Sequence, residues 1–196
     1  MKAVLASSNA GKLRELAAIL APLGYELVTQ TSLGIDTPPE TGVTFAENAL
    51  LKARHAARLS GLPALADDSG IEVDALDGRP GVYSARYAGE GASDLANLQK
   101  MLEELRDVLS ERRTARYQCV IAFARSADDP APLIAHGRWE GRVLTAPRGT
   151  GGFGYDSIFQ PSGLELTAAE LSAEDKNARS HRGKALRALA RLLRPA

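Results

Sequence analysis

The apolar residues change period along this chain, and that change limits what it can fold into. "KAVLA" at 2–6 is a compact apolar run suited to a buried strand. From Asn9 onward, Leu13, Leu16, Ala17 and Leu20 fall at helical spacing, and Gly24 ends the run. "YELV" predicts a second strand, and 31–43, "TSLGIDTPPETGV", predicts an ordered loop or lid because of its prolines and glycines. Thr44 and Glu47 have capping-box spacing, which predicts a helix over 45–60 stopped by Gly61. "PALA" and "IEVDAL" predict strands on either side of "DDSG", followed by a helix over 93–110 opened by Ser93 or Asp94. "RTARYQCVIAFAR" and "PLIAHGRWEGRVL" predict two long strands, antiparallel neighbours across "SADDPA". A glycine-rich loop, a strand at "SIF" and a last helix over about 181–194 complete the chain. Early alternation of strands and helices, with long strands later, predicts an α/β domain with a mixed sheet, one domain over 1–196.

Charge excludes one class of protein. Lysine plus arginine and aspartate plus glutamate both number 24, so the chain lacks the basic excess of a protein built to hold a nucleic acid backbone. A local basic pocket is compatible with that balance. The single cysteine, Cys119, sits in the apolar run "YQCVIAF" and reads as a small buried hydrophobe. "MKAVLASSN" is too short an apolar stretch for a signal peptide, and no segment reaches transmembrane length. The expected setting is cytoplasmic, with no membrane association and no nucleic acid partner.

Four stretches carry side chains suited to chemistry. "SSNAGK", Ser7 to Lys12, lies at a strand-to-helix junction, where backbone amides, small residues and a lysine make a phosphate-binding corner. It is not a Walker A loop, which needs glycine at Ala6 and serine or threonine at Leu13. A plain helix cap explains the same residues equally well. "GTGGFGYD", 149–156, formally matches G-x-G-x-x-G, but it lies late in the chain and runs on toward a strand, so a dinucleotide fold is refused. The loop suits either a tight hairpin or the enclosure of a flat ring by Phe153 and Tyr155, with backbone amides left free for hydrogen bonds.

"EDKNARSHRGK" crowds Lys176, Arg179, His181, Arg182 and Lys184 at the start of the last helix. That is the end where the helix dipole disfavours cations. Either a solvated charged patch or an anionic or nucleobase ligand accounts for it. Lys52 lies at the border of the apolar arc of its helix and either snorkels or reaches into a phosphate pocket.

The candidate acids are Glu40, Asp67, Asp68, Glu72 and Asp74. If 64–68 is extended, Asp67 and Asp68 point to opposite faces, and spacing alone does not say which of them faces a site. Oxygen ligands of this kind suit Mg²⁺, which needs one or two carboxylates plus substrate phosphates. One cysteine and three scattered histidines supply no zinc pattern.

A phosphate corner, an acidic strand end, an aromatic glycine loop and a basic C-terminal cluster together describe a nucleoside triphosphate pocket with Mg²⁺. The chain resembles the inosine triphosphate pyrophosphatase family over essentially its whole length. The resemblance is carried in order by "LASSNAGKLREL", "ETGVTFAENALLKARHAA", "ALADDSGIEVDALDGRPGVYSARYAG", "GTGGFGYDSIF" and "LSAEDKNARSHRGKAL". Ser8 stands where relatives often have glycine, at a position that varies in the family.

The resemblance implies an elongated α/β fold with a mixed sheet and flanking helices, two lobes around a central substrate groove, and a homodimer. It implies Mg²⁺-dependent cleavage of non-standard purine nucleoside triphosphates (ITP, dITP, XTP) between the α and β phosphates. Carried over residue by residue, Ser7, Ser8, Asn9, Ala10, Gly11 and Lys12 would hold the triphosphate, with Lys12 and Lys52 countering its charge. Glu40 and Asp68 would serve the metal, Asp68 as general base with Asp67 turned away, and Ser69 would contact substrate. Phe153, Gly154, Tyr155 and Asp156 would enclose the base, completed by Lys176, His181 and Arg182. The nearest alternative enzyme is a Maf-like pyrophosphatase, against which "FGYD" and "SHR" speak. The alternative from another class is a non-catalytic nucleotide- or RNA-binding module, against which the neutral charge and the carboxylates speak.

Overall fold

A computed structural model describes residues 1–7, 13, 16–17 and 20–194. Among them, six strands form one mixed sheet: β1 (Lys2–Leu5), β2 (Glu26–Thr29), β3 (Ala64–Val73), β4 (Thr114–Ala124), β5 (Leu133–Val143) and β6 (Phe159–Pro161). The order across the sheet is β2-β1-β3-β4-β5-β6. β1 runs parallel to β2 and β3, whereas β6 runs antiparallel to β5, so the expected α/β class with a mixed sheet holds. The helices are α1 (Phe45–Ser60), α2 (Asp94–Glu104), α3 (Ala173–Arg179) and α4 (His181–Leu192). Leu13, Leu16, Ala17 and Leu20 are also helical; the rest of the helix expected after Asn9 lies outside the described residues.

α1 follows from its local sequence. The Thr44 hydroxyl accepts from the Glu47 amide at 3.1 Å, and the Glu47 carboxylate accepts from the Thr44 amide at 3.3 Å. At the other end Gly61, at φ 69°, closes the last turn through its amide to the Ala57 carbonyl. Ala49, Ala53, Ala56 and Ala57 line the buried face, together with the polar Asn48 and Lys52.

The structure departs from the sequence expectations at several joints. "ALADDSGIEV" is one continuous strand, not two strands about a turn, and Asp68 lies inside it rather than at a strand end. β3 pairs on both edges, with β1 and with β4, and those ladders outweigh the turn preference of Asp-Asp-Ser-Gly. Asp74–Leu76 is a 3₁₀ turn, not strand. α2, capped by Ser93, stops at Glu104 instead of 110. There the buried Arg113 donates to the carbonyls of Leu105 (2.7 Å) and Val108 (3.0 Å), satisfying groups the helix end leaves open. The last helix, expected over about 181–194, is α4, and a short helix that the sequence did not lead us to expect, α3, precedes it. Ser180 ends α3 by donating its amide to the Lys176 carbonyl at 2.8 Å, and its hydroxyl accepts from the Gly183 amide of α4 at 3.2 Å. Lys176 and Arg179 therefore sit in the last turn of α3, where the dipole favours cations.

The chain divides into two compact units. The first holds Met1–Asp68, Cys119–Gly137 and Lys184–Ala196; the second holds Ser69–Gln118 and Arg138–Gly183. Each has its own apolar core. Leu5, Leu65, Ile121, Phe123, Leu186 and Leu189 are central to the first, which also buries Cys119. Ile71, Met101, Leu105, Trp139, Ile158 and Phe159 are central to the second, where Phe159 meets Tyr117 and Trp139 edge-on. Each fully buried side chain of this size contributes roughly 1.5–3 kcal/mol.

Candidate active site

In the first unit, helix, strand and loop bring three charges together. Lys52 projects from the buried face of α1, and its ammonium donates to Glu40 Oε1 at 2.7 Å and to Asp68 Oδ1 at 3.1 Å. Asn48, one turn earlier, donates to Asp68 Oδ2 at 3.2 Å and accepts from the Gly42 amide at 2.8 Å. A Cβ at residue 42 would meet Asn48 Oδ1 and Glu47 Cβ at 2.7 Å each, so glycine permits this close approach. The loop carrying Glu40 is also tied down by Gln30 on the Thr37 hydroxyl and His55 on the Asp36 carbonyl. It is the ordered loop expected over 31–43, opened by a 3₁₀ turn at Thr31–Leu33.

Lys52 is 7% exposed, which excludes the snorkelling reading. Burial works against its charge, but Asp68 and Glu40 outweigh that and raise its pKa above the ordinary lysine value. Burial also raises the Asp68 carboxyl, opposed by Lys52 and helped by the like charge of Glu40; the result is an aspartate more basic than an exposed one. Asp67 is buried as well, and Ser69 is half-buried on β3. Ser7 is half-buried just past β1, while Ser8, Asn9, Ala10, Gly11 and Lys12 lie outside the described residues.

The chemistry of the donors bears on the metal. Two carboxylates already converge on one cation, the Lys52 ammonium, and their hard oxygens suit Mg²⁺. Among the described residues no three His, Cys, Asp or Glu side chains form a closed cage. A cation held here takes most of its ligands from elsewhere, as Mg²⁺ does with water and phosphate.

The second unit holds the glycine loop. Asp156, 3% exposed, accepts from the Phe153 amide at 2.8 Å and from the Lys176 ammonium. Gly152 sits at φ 74°, and a Cβ there would strike Asp156 Oδ2 at 2.2 Å, so this carboxylate can fold the loop around itself only beside glycine. The Gly154 amide donates to Asp94 Oδ2 at 2.8 Å. The amides of Phe153 and Gly154 are thus engaged within the protein, contrary to the expectation that they stay free.

The two aromatic residues of the loop part company. Tyr155 is buried and donates its hydroxyl to the Ser84 carbonyl at 2.8 Å, so it anchors the loop. Phe153 is 60% exposed, with Lys176 Nζ 4.9 Å and Arg182 Cζ 5.8 Å from its ring centre. His181 is buried and stacked on Tyr117 at 4.6 Å and 10°. An exposed ring can stack on a flat heterocycle while the two cations beside it donate hydrogen bonds to the heterocycle's edge. Sequence reasoning missed Asn48, Ser84, Asp94 and Tyr117. Asn48 alone gave a signal, as a polar residue four positions before Lys52 on the apolar face of α1.

Comparison with known proteins covers both units at once. A model of the Ham1 family matches residues 3–192. The dITP/XTP pyrophosphatase of Shigella flexneri is 58% identical over 193 residues, 98% of each chain. That of Pectobacterium atrosepticum is 57% identical over 195 residues, 100% of this chain and 99% of its own. Among solved structures, a HAM1 protein from Coxiella burnetii superposes with a TM-score of 0.94 at 50% identity, covering 98% of each chain. A dITP/XTP pyrophosphatase from Mycobacterium abscessus gives 0.80 at 44%, covering 99% of this chain and 100% of its own. With the fold, the acidic strand and the glycine loop all inside the matched span, the chain belongs to the Ham1 family.

Proposed function

We propose that this protein hydrolyses non-standard purine nucleoside triphosphates (ITP, dITP and XTP) between the α and β phosphates, releasing the monophosphate and pyrophosphate. Removing such nucleotides from the pool keeps them out of DNA and RNA. Pyrophosphatases of dITP and XTP over half identical along the whole chain support the reaction. The observation that carries the chemistry is the buried Lys52 held by Glu40 and Asp68.

In this reading Glu40 and Asp68 hold Mg²⁺, which when bound offsets phosphate charge and favours ionisation of water. Asp68, fixed by Lys52 and Asn48, orients the attacking water and accepts its proton. Lys52 keeps its charge and offers it to the phosphates, whose negative charge grows as pyrophosphate departs. Ser7 to Lys12 cradle the triphosphate, and Ser69 contacts substrate. Phe153 stacks on the base, while Lys176, His181 and Arg182 present donors to its 6-keto oxygen. Adenine carries a 6-amino donor there, and a buried donor facing a donor loses its hydrogen bond, which disfavours ATP. Asp156 and Tyr155 serve by shaping and anchoring the loop.

We also propose a homodimer working in the cytoplasm; no helix among the described residues is long and apolar enough to cross a membrane. The test is product analysis after incubation with ITP, XTP and ATP, with Mg²⁺ and then with EDTA. Inosine monophosphate and pyrophosphate, formed only with Mg²⁺, are expected. Inosine diphosphate and orthophosphate, or turnover untouched by EDTA, would overturn the reading.

A further inference from the structure

We propose that Asp94 is a positioning residue for base recognition, holding the glycine loop so that the Phe153 ring is presented in one orientation. The inference rests on the reading of Phe153 as the stacking platform. Phe153 is 60% exposed, so core packing does not fix its ring. Its orientation has to come from the backbone on either side.

That backbone is pinned at consecutive amides by two different carboxylates. Asp156 takes the Phe153 amide from three residues away, a bond that stays within the loop, although its carboxylate also meets Lys176 of α3. Asp94 takes the Gly154 amide at 2.8 Å from sixty residues away, which ties the loop to α2. Gly154 lies at φ 60°, in the left-handed region where the chain reverses and where glycine gives least resistance to rotation. An unpinned Gly154 would be the natural hinge for Phe153.

Asp94 is well placed for this task. It is the first residue of α2, an element fastened at both ends: Ser93 caps its start and Arg113 its finish. Asn97, one turn on, is buried, accepts from the Ala88 amide at 2.7 Å and donates to the Ala85 carbonyl at 3.1 Å. The same 3₁₀ turn, Gly81–Arg86, supplies the Ser84 carbonyl that receives the Tyr155 hydroxyl. Helix, turn and loop thus close a ring of hydrogen bonds, with Asp94 and Tyr155 as its two links to the loop. The helix dipole alone accounts for an acid in a first turn. It does not call for a bond to an amide sixty residues away, and among the described residues Asp94 forms no ion pair.

Three proteins test the proposal: wild type, Asp94→Ala and Asp94→Asn, which keeps an acceptor oxygen and removes the charge. KM and kcat are measured for ITP and ATP, and amide hydrogen exchange is followed over 149–156. Asp94→Ala is expected to raise KM for ITP about fivefold, the worth of one lost hydrogen bond, with kcat within about twofold. Its preference for ITP over ATP falls, and exchange at the loop quickens. Asp94→Asn restores both readouts to within about twofold of wild type, which a requirement for charge alone would not do. Unchanged KM and exchange in Asp94→Ala, or Asp94→Asn as impaired as Asp94→Ala, would overturn the proposal. A wild type that fails to prefer ITP would instead sink the reading of the base site, and the exchange experiment would still decide whether Asp94 holds the loop.

Discussion

Two lysines make the same kind of contact in the two units and end in different surroundings. Lys52 meets Asp68 and Glu40, so carboxylates outnumber the ammonium. Lys176 meets Asp156 alone, while Arg182 lies over the same Phe153 ring, so a second cation stands beside the pair. In the first, among the described residues, two carboxylates face one ammonium, a set of hard oxygens of the kind that suits a metal ion. The second sets a lysine and an arginine beside an exposed ring, the pairing we assign to a flat, keto-bearing base. One pair type thus serves two tasks, decided by what else stands within reach.

The comparison breaks most sharply at Asp68. Asp68→Asn keeps the shape but loses the proton acceptor, and kcat for pyrophosphate release is expected to fall about a thousandfold. A loss below tenfold would remove Asp68 from the chemistry. Next comes stability. Lys52→Met leaves two carboxylates facing each other in a buried site, a change expected to cost about 3 kcal/mol in urea denaturation. Lys176→Met should cost about 1 kcal/mol, because Asp156 keeps the Phe153 amide as a donor. Added Mg²⁺ should recover stability in Lys52→Met and leave Lys176→Met unmoved. Equal losses in the two variants would contradict the burial argument. Phe153→Ala should raise KM for ITP about tenfold through lost stacking, with no change in melting temperature because the ring is exposed.

The smallest effect is the dependence on pH, where two aspartates should pull in opposite directions. Burial raises Asp68, so the folded protein binds its proton more tightly than the unfolded chain does. Its contribution to stability therefore falls as pH rises from the ordinary aspartate value to the raised one. Asp74 is held down by hydrogen bonds from Arg116 and Thr114. Its contribution is full above the ordinary value and lost as pH falls through the depressed one. Urea denaturation in EDTA across the acid range should show Asp68→Asn and Asp74→Asn changing the profile with opposite slopes. Matching slopes would refute the assignment of one of them.

Much of this was legible where the cause is local. Thr44, Glu47 and Gly61 state the limits of α1 by themselves, because caps act within one turn. "DDSG" misleads because its turn preference is local while the pairing of β3 with β1 and β4 is not. α3 escaped the sequence reading because it is only seven residues long, and Ser180, whose hydroxyl accepts from the Gly183 amide, separates it from α4. Phe153 and Tyr155 are aromatic neighbours in one loop with no period to separate them; only the Ser84 carbonyl decides which turns inward. The metal side of the site was visible as residue types, and Lys52 as a choice between snorkelling and a phosphate pocket, which a helical wheel leaves open because it cannot see Glu40 arrive from the loop.

The most direct test of the division of labour is kcat and KM of Asp68→Asn and Lys176→Met on ITP and on ATP. The account predicts that Asp68→Asn lowers kcat on both substrates and leaves their ratio alone. It predicts that Lys176→Met raises KM for ITP and erodes its preference over ATP, with kcat within about twofold. If Lys176→Met instead lost kcat as Asp68→Asn does, with the preference intact, the two clusters would not have the separate roles assigned to them.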